Sequence, residues 1–305
     1  ADINLQDPAS AISQLAPYLA QAKKNPDQLH QILILAAQAD ILNGDPVAAR
    51  HLIWPLTKIS ANVRVGALPL AAQTLSLSAA SQWINAITQY ITPGPKGNIE
   101  QLALAQAWWT LGQRFNNSAA MARAQALIHS LLTSGQKFNK DQKINLLSDL
   151  ATIELINGEN AKAINTYNQV LAMDPKQTIA LNNLAILLLR QSPPSPAGIE
   201  RAAILAHQAI DLAPQSPTLW DTLARVQAAQ GKYPQALASM AKAKALDPNN
   251  PLWPVDTASI LLASGNTAQA RAALAGFRPD AAQLQELSVN SRNRYRQLQA
   301  KLGIQ

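Results

Sequence analysis

Four histidines, a scatter of carboxylates and one glycine-proline segment are the residues of this chain that could do chemistry, and their spacing excludes one reaction class after another. The histidines are His30, His51, His129 and His207. A zinc site on a helix needs two of them at i, i+3 or i, i+4, and no pair has that interval. His129 and His207 read as partly exposed residues of a helix surface. Asp149, Glu154 and Glu159 form the densest acidic group, and they read as solvated surface rather than as a general acid and its base. Gly94-Pro95-Lys96-Gly97 looks like a phosphate loop only superficially. It lacks the glycine spacing and the Lys-Ser/Thr pair, and its prolines remove amide donors. A nucleophile elbow, a Walker loop and a dinucleotide fingerprint are all missing. With no cysteine in the chain, thiol catalysis, disulfides and Cys-ligated zinc are excluded. The expectation is a protein that is no enzyme and uses no metal and no cofactor.

Composition narrows the partners. The 305 residues are 48% hydrophobic, 14% charged and only 5% aromatic, and Val and Ile come singly, so the chain reads as all-α. Its formal charge is +7, yet the basic residues are dispersed. The nearest approach to a cluster is Arg292, Arg294, Arg296 and Lys301. A nucleic-acid binder concentrates such residues on one stripe, so no nucleic-acid partner is expected. No apolar run reaches the ~20 residues that span a bilayer. Ala1 in place of Met, followed by Asp2 and a polar stretch, reads as a mature end left by signal-peptide removal or as an artificial boundary. Many Gln and Asn beside few Lys and Glu favour an exported, periplasmic bacterial protein over a cytoplasmic one.

What must position any site is a repeat. Ala224, Gly231, Ala236 and Pro248 are followed, 34 residues on, by Ala258, Gly265 and Ala270 at the same intervals. Ala151-Gly158-Ala163 and Ala37-Gly44-Ala49 repeat the pattern. A period near 34 means stacked pairs of helices with no single central core. In the unit from Pro217 to Asn250, Ser216 is the expected N-cap and Pro217 the first helical residue. Gly231 closes the first helix and Pro234 opens the second. Asp247-Pro248-Asn249-Asn250 ends it. Ala224 and Ala236 fall where the two helices cross.

Trp220, Leu223, Ala224, Gly231, Tyr233, Ala236 and Pro248 together resemble the tetratricopeptide repeat family. Leu150, Ala151, Gly158, Ala163, Tyr167 and Pro175 repeat the resemblance. It implies a right-handed superhelix of helix pairs whose first helices line a concave groove. The register places units at about 30–63, 64–97, 105–138, 144–177, 178–216, 217–250 and 251–279. A capping helix is expected at 1–29, N-terminal units at 30–97, the main array at 98–279 and a second cap at 280–305, its helix running from Ala281 to Leu302. Thr92 to Gly97 is a break inside the array. Three units are irregular. Trp83 stands where the second needs a small residue, so its helices splay or form another kind of hairpin. The third keeps Trp108, Leu111, Gly112 and Ala124 but has Ala119 at its turn. The fifth carries an insertion, Ser192 to Pro196.

The resemblance also implies which residues face the groove. These are Gln106, Trp109, Gln113 and Asn116 in the third unit, and Asn145, Ser148 and Thr152 in the fourth. The fifth presents Asn182, Ile186 and Arg190, and the sixth Thr218, Asp221 and Arg225. Most are short polar groups suited to a peptide backbone. Trp109 is either an aromatic anchor for a partner or a residue packed on the adjacent unit or under the Pro93–Gly97 loop. Chaperone-binding members of the family hold a C-terminal carboxylate with a Lys/Arg/Asn clamp. The matching positions here, Trp109, Gln113, Asp149, Asn182 and Thr222, lack the paired Lys and Arg. A ladder of groove asparagines is also absent, Asn183 alone matching.

The function expected is a non-enzymatic scaffold that binds a peptide or protein segment in the groove, as an exported bacterial adaptor in envelope, secretion or polysaccharide assembly. The alternative is the substrate-recruiting region of a larger multidomain enzyme. Homo-oligomers formed through the end faces are a third possibility.

Overall fold

Each helix of this chain is short, and the residues at its two ends explain why it starts and stops where it does. The computed structural model describes residues 3–91, 98–135, 137–191, 193–280, 284 and 289–304. Among these there are sixteen helices and no strand. They form two compact units, Ala1–Ile153 and Glu154–Gln305. The first holds α1 (Pro8–Lys24), α2 (His30–Leu42), α3 (Pro46–Thr57), α4 (Ala61–Thr74), α5 (Leu77–Thr88), α6 (Asn98–Arg114), α7 (Ser118–Thr133) and most of α8 (Lys140–Ile156). The second begins in the last turn of α8. It continues with α9 (Asn160–Met173), α10 (Thr178–Arg190), α11 (Pro196–Leu212), α12 (Pro217–Ala229), α13 (Tyr233–Leu246), α14 (Trp253–Ala263), α15 (Thr267–Ala275) and α16 (Val289–Leu302). The break expected at Thr92–Gly97 lies outside the described residues.

Within each unit consecutive helices pack as antiparallel pairs, and the first helix of one pair also packs on the first helix of the next: α2 on α4, α4 on α6, α10 on α12 and α12 on α14. The repeated glycines make the turns. Gly44, Gly158, Gly231 and Gly265 all have positive φ, between 74° and 86°. The amide after each glycine reaches back five residues, as in Lys232 N to Gln227 O at 2.8 Å and Asn266 N to Leu261 O at 2.9 Å. This left-handed closure satisfies carbonyls the helix end would strand. Some helix starts are capped by side chains: Asp45 accepts from Ala48 N at 2.8 Å, and Asn117 from Ala120 N at 2.9 Å. Ser216 is the N-cap residue of α12 but makes no such bond. Its hydroxyl pairs with Thr218 Oγ1 at 3.0 Å instead.

The irregular units depart from the rule for visible reasons. In the third, the left-handed residue is Asn116 (φ 48°), and Asn117 N bonds to Gly112 O at 2.9 Å. The turn therefore comes four residues after Gly112, whereas Gly231 comes seven after Ala224, and Ala119 sits in the first turn of α7 rather than at the turn. Asn can occupy the left-handed region because its side chain bonds locally. In the second pair, Leu75 and Ser76 are both extended, and no positive-φ residue is used. The carbonyls of Ala72 and Leu75 are taken by the Arg114 guanidinium, at 3.1 and 2.7 Å. It is the other kind of hairpin, with Trp83 buried on α5. The insertion in the fifth pair ends as a helix start. Ser195 caps Gly198 N at 3.0 Å and Pro196 is the first residue of α11, while Ser192 lies outside the described residues.

Tryptophans pin successive pairs in the second unit. The Trp220 indole donates to Pro214 O at 2.8 Å and the Trp253 indole to Asp247 O at 2.6 Å, six residues back in both cases. At the C-terminal end α16 covers α14 and α15. Tyr295, Leu298 and Leu302 bury against Val255, Leu274 and Phe277. The helix is described from Val289, so the part expected from Ala281 falls largely outside the described residues. In the first unit a buried Arg64–Glu100 ion pair ties α4 to α6, with Arg64 Nη1 also on Thr57 O at 2.8 Å.

The α6–α7 crossing is tight. A Cβ added at Gly112 would lie 2.6 Å from Met121 Cγ and 3.0 Å from the Met121 backbone nitrogen, whereas at Gly66 it would meet only the Ile34 side chain. A backbone cannot yield as a side chain can. Gly112→Ala is expected to cost about 1–3 kcal/mol by overpacking, read as a lowered urea midpoint at unchanged slope. Gly66→Ala should stay within ~1 kcal/mol of the native chain, because the helix-propensity gain offsets a rotamer change of Ile34.

Candidate functional site

Five charged residues of the second unit converge from four helices, each carried on a first helix or on the terminal one. Arg190 ends α10, Asp221 and Arg225 lie one turn apart on α12, Asp256 sits in the first turn of α14, and Arg294 projects from α16. The i, i+4 spacing on α12 places Asp221 under Arg225. Arg225 Nη2 is 2.7 Å from Asp221 Oδ2, and its Nε donates to Asp221 Oδ1 at 3.0 Å. The same guanidinium reaches Asp256 Oδ1 at 3.2 Å. Arg294 Nη1 donates to that oxygen as well. Asp256 is 3% exposed, and the N-terminus of α14 adds a favourable dipole to its charge.

The electrostatics follow from this crowding. Burial pushes Asp256 up to about 6 and the Asp221 charge pushes it the same way, against the pull of Arg225 and Arg294. Burial works against the charge on Arg225, and Asp221 and Asp256 together more than offset it. Arg294 is lowered by burial and by Arg225. Arg190 is lowered by burial and then by Arg225. A cavity of about 680 Å³ opens among Arg190, Arg225, Arg294 and the turn from Leu155 to Asn160.

The other second-unit positions expected in the groove lie on the same helices. Ile186 is half-buried one turn before Arg190, and Thr218 is exposed in the first turn of α12. Asn182 donates to Asn183 Oδ1 at 3.3 Å, and its own Oδ1 is buried without a hydrogen-bond partner among the described residues. Asn183 in turn donates to Tyr167 OH at 2.8 Å, so it ties α10 to the preceding helix α9.

In the first unit the expected positions separate. Gln106, Gln113 and Asn145 are exposed and Ser148 is half-buried. Thr152 donates to Ser148 O at 2.8 Å within its own helix. Asn116 is the turn residue described above, not a groove residue on the helix face. Trp109 is 7% exposed and hydrogen-bonds the Asp149 carboxylate. Of the two roles left open for it, it takes packing. Trp108 is buried beside it, with Arg123 stacked 4.5 Å over its ring.

Two expectations about acidic residues are corrected. Asp149 and Glu154 are not solvated surface. Glu154 is 2% exposed and accepts from Thr166 Oγ1 at 2.8 Å. Asp149 is pushed up to about 6 by desolvation, which the Trp109 bond only partly opposes. Sequence reasoning also missed Asp256 and the inward role of Arg294. The signal available was Asp256 at the start of a first helix, 31 residues beyond Arg225.

Among the described residues no group of three His, Cys, Asp or Glu could hold a metal ion. No described helix is long and apolar enough to cross a membrane.

Paired helices closed by left-handed glycines, stacked first helix on first helix, are the fold of tetratricopeptide repeat proteins. Solved structures agree. A thermophilic protein of this kind from Thermus thermophilus matches 64% of this chain and 99% of its own, at 21% identity and TM-score 0.50. A tetratricopeptide repeat protein from Parabacteroides merdae matches 74% and 86%, at 17% identity and TM-score 0.53. No family model and no curated protein sequence matches the chain.

Asp149 sets a pH dependence. Its native value of about 6 lies above the ordinary 3.8, so between those limits the folded state binds more protons than the unfolded one. Stability therefore falls as pH rises through that window and levels off above it. Asp149→Asn keeps an acceptor for the Trp109 indole and removes the buried charge. The variant should unfold on the order of 1–2 kcal/mol harder at pH 8, and match the native chain near pH 4. Urea titrations at the two pH values measure both.

Proposed function

We propose that this chain is a non-enzymatic scaffold that holds a peptide or protein segment along the first-helix faces of its array. The reading is supported by the second unit, where Arg190 of α10 and Arg225 of α12 line a polar cavity, while Ile186 and Thr218 on the same two helices are half-buried and exposed. Short donors and acceptors beside half-buried apolar side chains suit an extended chain, whose backbone needs hydrogen bonds as well as pockets. In the first unit Gln113, Asn145 and Ser148 offer the same kind of surface. An exported bacterial adaptor is the setting that the cysteine-free, Gln- and Asn-rich composition supports.

The test is site-specific photo-cross-linking in the native host. A benzophenone side chain at Ile186 samples the proposed groove, and one at Ile204, which is 53% exposed on the second helix α11, samples the opposite face. A discrete adduct from position 186 and none from 204 is the expected result. Thr218→Trp, filling the groove, should lower that adduct about tenfold or more, the effect of losing one well-packed anchor. Equal adducts from both positions, or an adduct indifferent to Thr218→Trp, would overturn the groove.

A further inference from the structure

We infer that the cavity bounded by α10, α12, the α8–α9 turn and α16 is a binding site for a carboxylate on the bound segment, with Arg190 as its recognising cation. The inference rests on the groove reading and deepens it. Three guanidiniums face this cavity, Arg190, Arg225 and Arg294. Two carboxylates stand behind them, Asp221 and Asp256, and both are spent: Asp221 on Arg225, and Asp256 shared between Arg225 and Arg294. Three positive charges against two negative ones leave one over. It falls on Arg190, which has no ion pair or hydrogen bond among the described residues.

Its surroundings leave that charge unrelieved. Partial desolvation lowers its pKa, and so does the electrostatic neighbour that acts on it, another cation, Arg225, while the residue keeps an exposed surface from which a ligand can reach it. The C-terminal end of α10 offsets some of this, but a helix end offers no fork of acceptors to a guanidinium. A bound anion does, and two parallel N–H···O bonds to a carboxylate are the strongest contact available to it. The charge count selects the anion. One uncompensated positive charge matches a carboxylate, while a phosphate group carries nearly two negative charges.

The cavity also differs from a bare helix face in its lining, to which α16 adds Arg294 and Gln297 beside Arg190 of α10 and Arg225 of α12. Arg225 and Arg294 are already held in place by Asp256, which spares the ligand the entropy of ordering them.

The probe is the blocked peptide Ac-Ala-Ala-Glu-Ala-Ala-amide, titrated into the full chain while the arginine Nε–H resonances are followed by NMR. Saturable shifts of Arg190, Arg225 and Arg294 are expected. The Gln analogue of the peptide and the Arg190→Gln protein should each bind about tenfold weaker or worse, the worth of a charge-assisted pair. Arg190→Lys should restore part of the affinity. Circular dichroism confirms the fold of each variant. Equal affinity for the Glu and Gln peptides overturns the assignment, as does an Arg190→Gln protein that binds normally. Inorganic phosphate binding at Arg190 more tightly than the peptide overturns the choice of carboxylate. If Ile186 still captures a partner while the Glu peptide fails, the carboxylate site falls and the groove stands.

Discussion

Two helices can approach to about 8–9 Å only where no bulky side chain stands between their axes. That closeness is the constraint on which the rest of this structure depends. Ala37 and Ala49, Ala224 and Ala236, and Ala258 and Ala270 are all fully buried, and each couple belongs to the two helices of one pair. Once a pair is that tight, its connection must be short, and in these pairs a left-handed residue reverses the chain. Gly44, Gly231 and Gly265 supply it. The third pair reaches the same end with other parts, Gly112 at the contact and Asn116 at the turn. Small residue and left-handed turn are thus two halves of one geometric requirement.

A second consequence lies one turn from each crossing. Three residues beyond Ala224 and Ala236 stand Gln227 and Ser239, hydrogen-bonded at 2.8 Å. The same offsets from Ala151 and Ala163 give Glu154 and Thr166, also at 2.8 Å. Both couples are 12 residues apart in sequence. The wedge between the helices there is buried, and a polar group in it must bring its own partner. The partner comes from the facing helix, which fixes the register of the pair more sharply than alanines can, since alanines tolerate sliding. Glu154 is therefore structural, although a lone glutamate beside a glycine turn looks like surface.

This is where the sequence stops being readable. Four of the helix pairs could be found in it because Ala, Gly and Ala recur for a reason internal to each pair, and that reason needs no knowledge of neighbours. Trp109, Asp149 and Asp256 could not be placed the same way. Their burial is decided by side chains on other helices: an indole reaching a carboxylate 40 residues away, or two arginines from α12 and α16 meeting one aspartate. The shift of the third turn was hidden for a related reason. Gly112 fits the small-residue pattern so well that the turn was counted from it, while Asn116, the residue that makes the turn, looked like a groove asparagine. Arg190, Asp221 and Arg225 could be named from the repeat as positions off the packed faces of α10 and α12, and Arg294 was visible only as one of a dispersed basic set.

The charges of the second unit show why a site can arise on a face that the repeat leaves unspecified. The framework residues decide only the inner surfaces of a pair, so positions such as 190, 221 and 225 are free of packing duty and their chemistry answers to something else. Were these residues merely solubilising, they would be dispersed and solvated, because desolvating ions without complete pairing is unfavourable. Instead one buried aspartate organises two arginines from different helices and holds α16 beside a third. Such an arrangement lowers the stability that a well-packed apolar contact at Asp256 could give. A chain that keeps it retains a fixed set of guanidiniums facing an open space, which apolar packing could not provide.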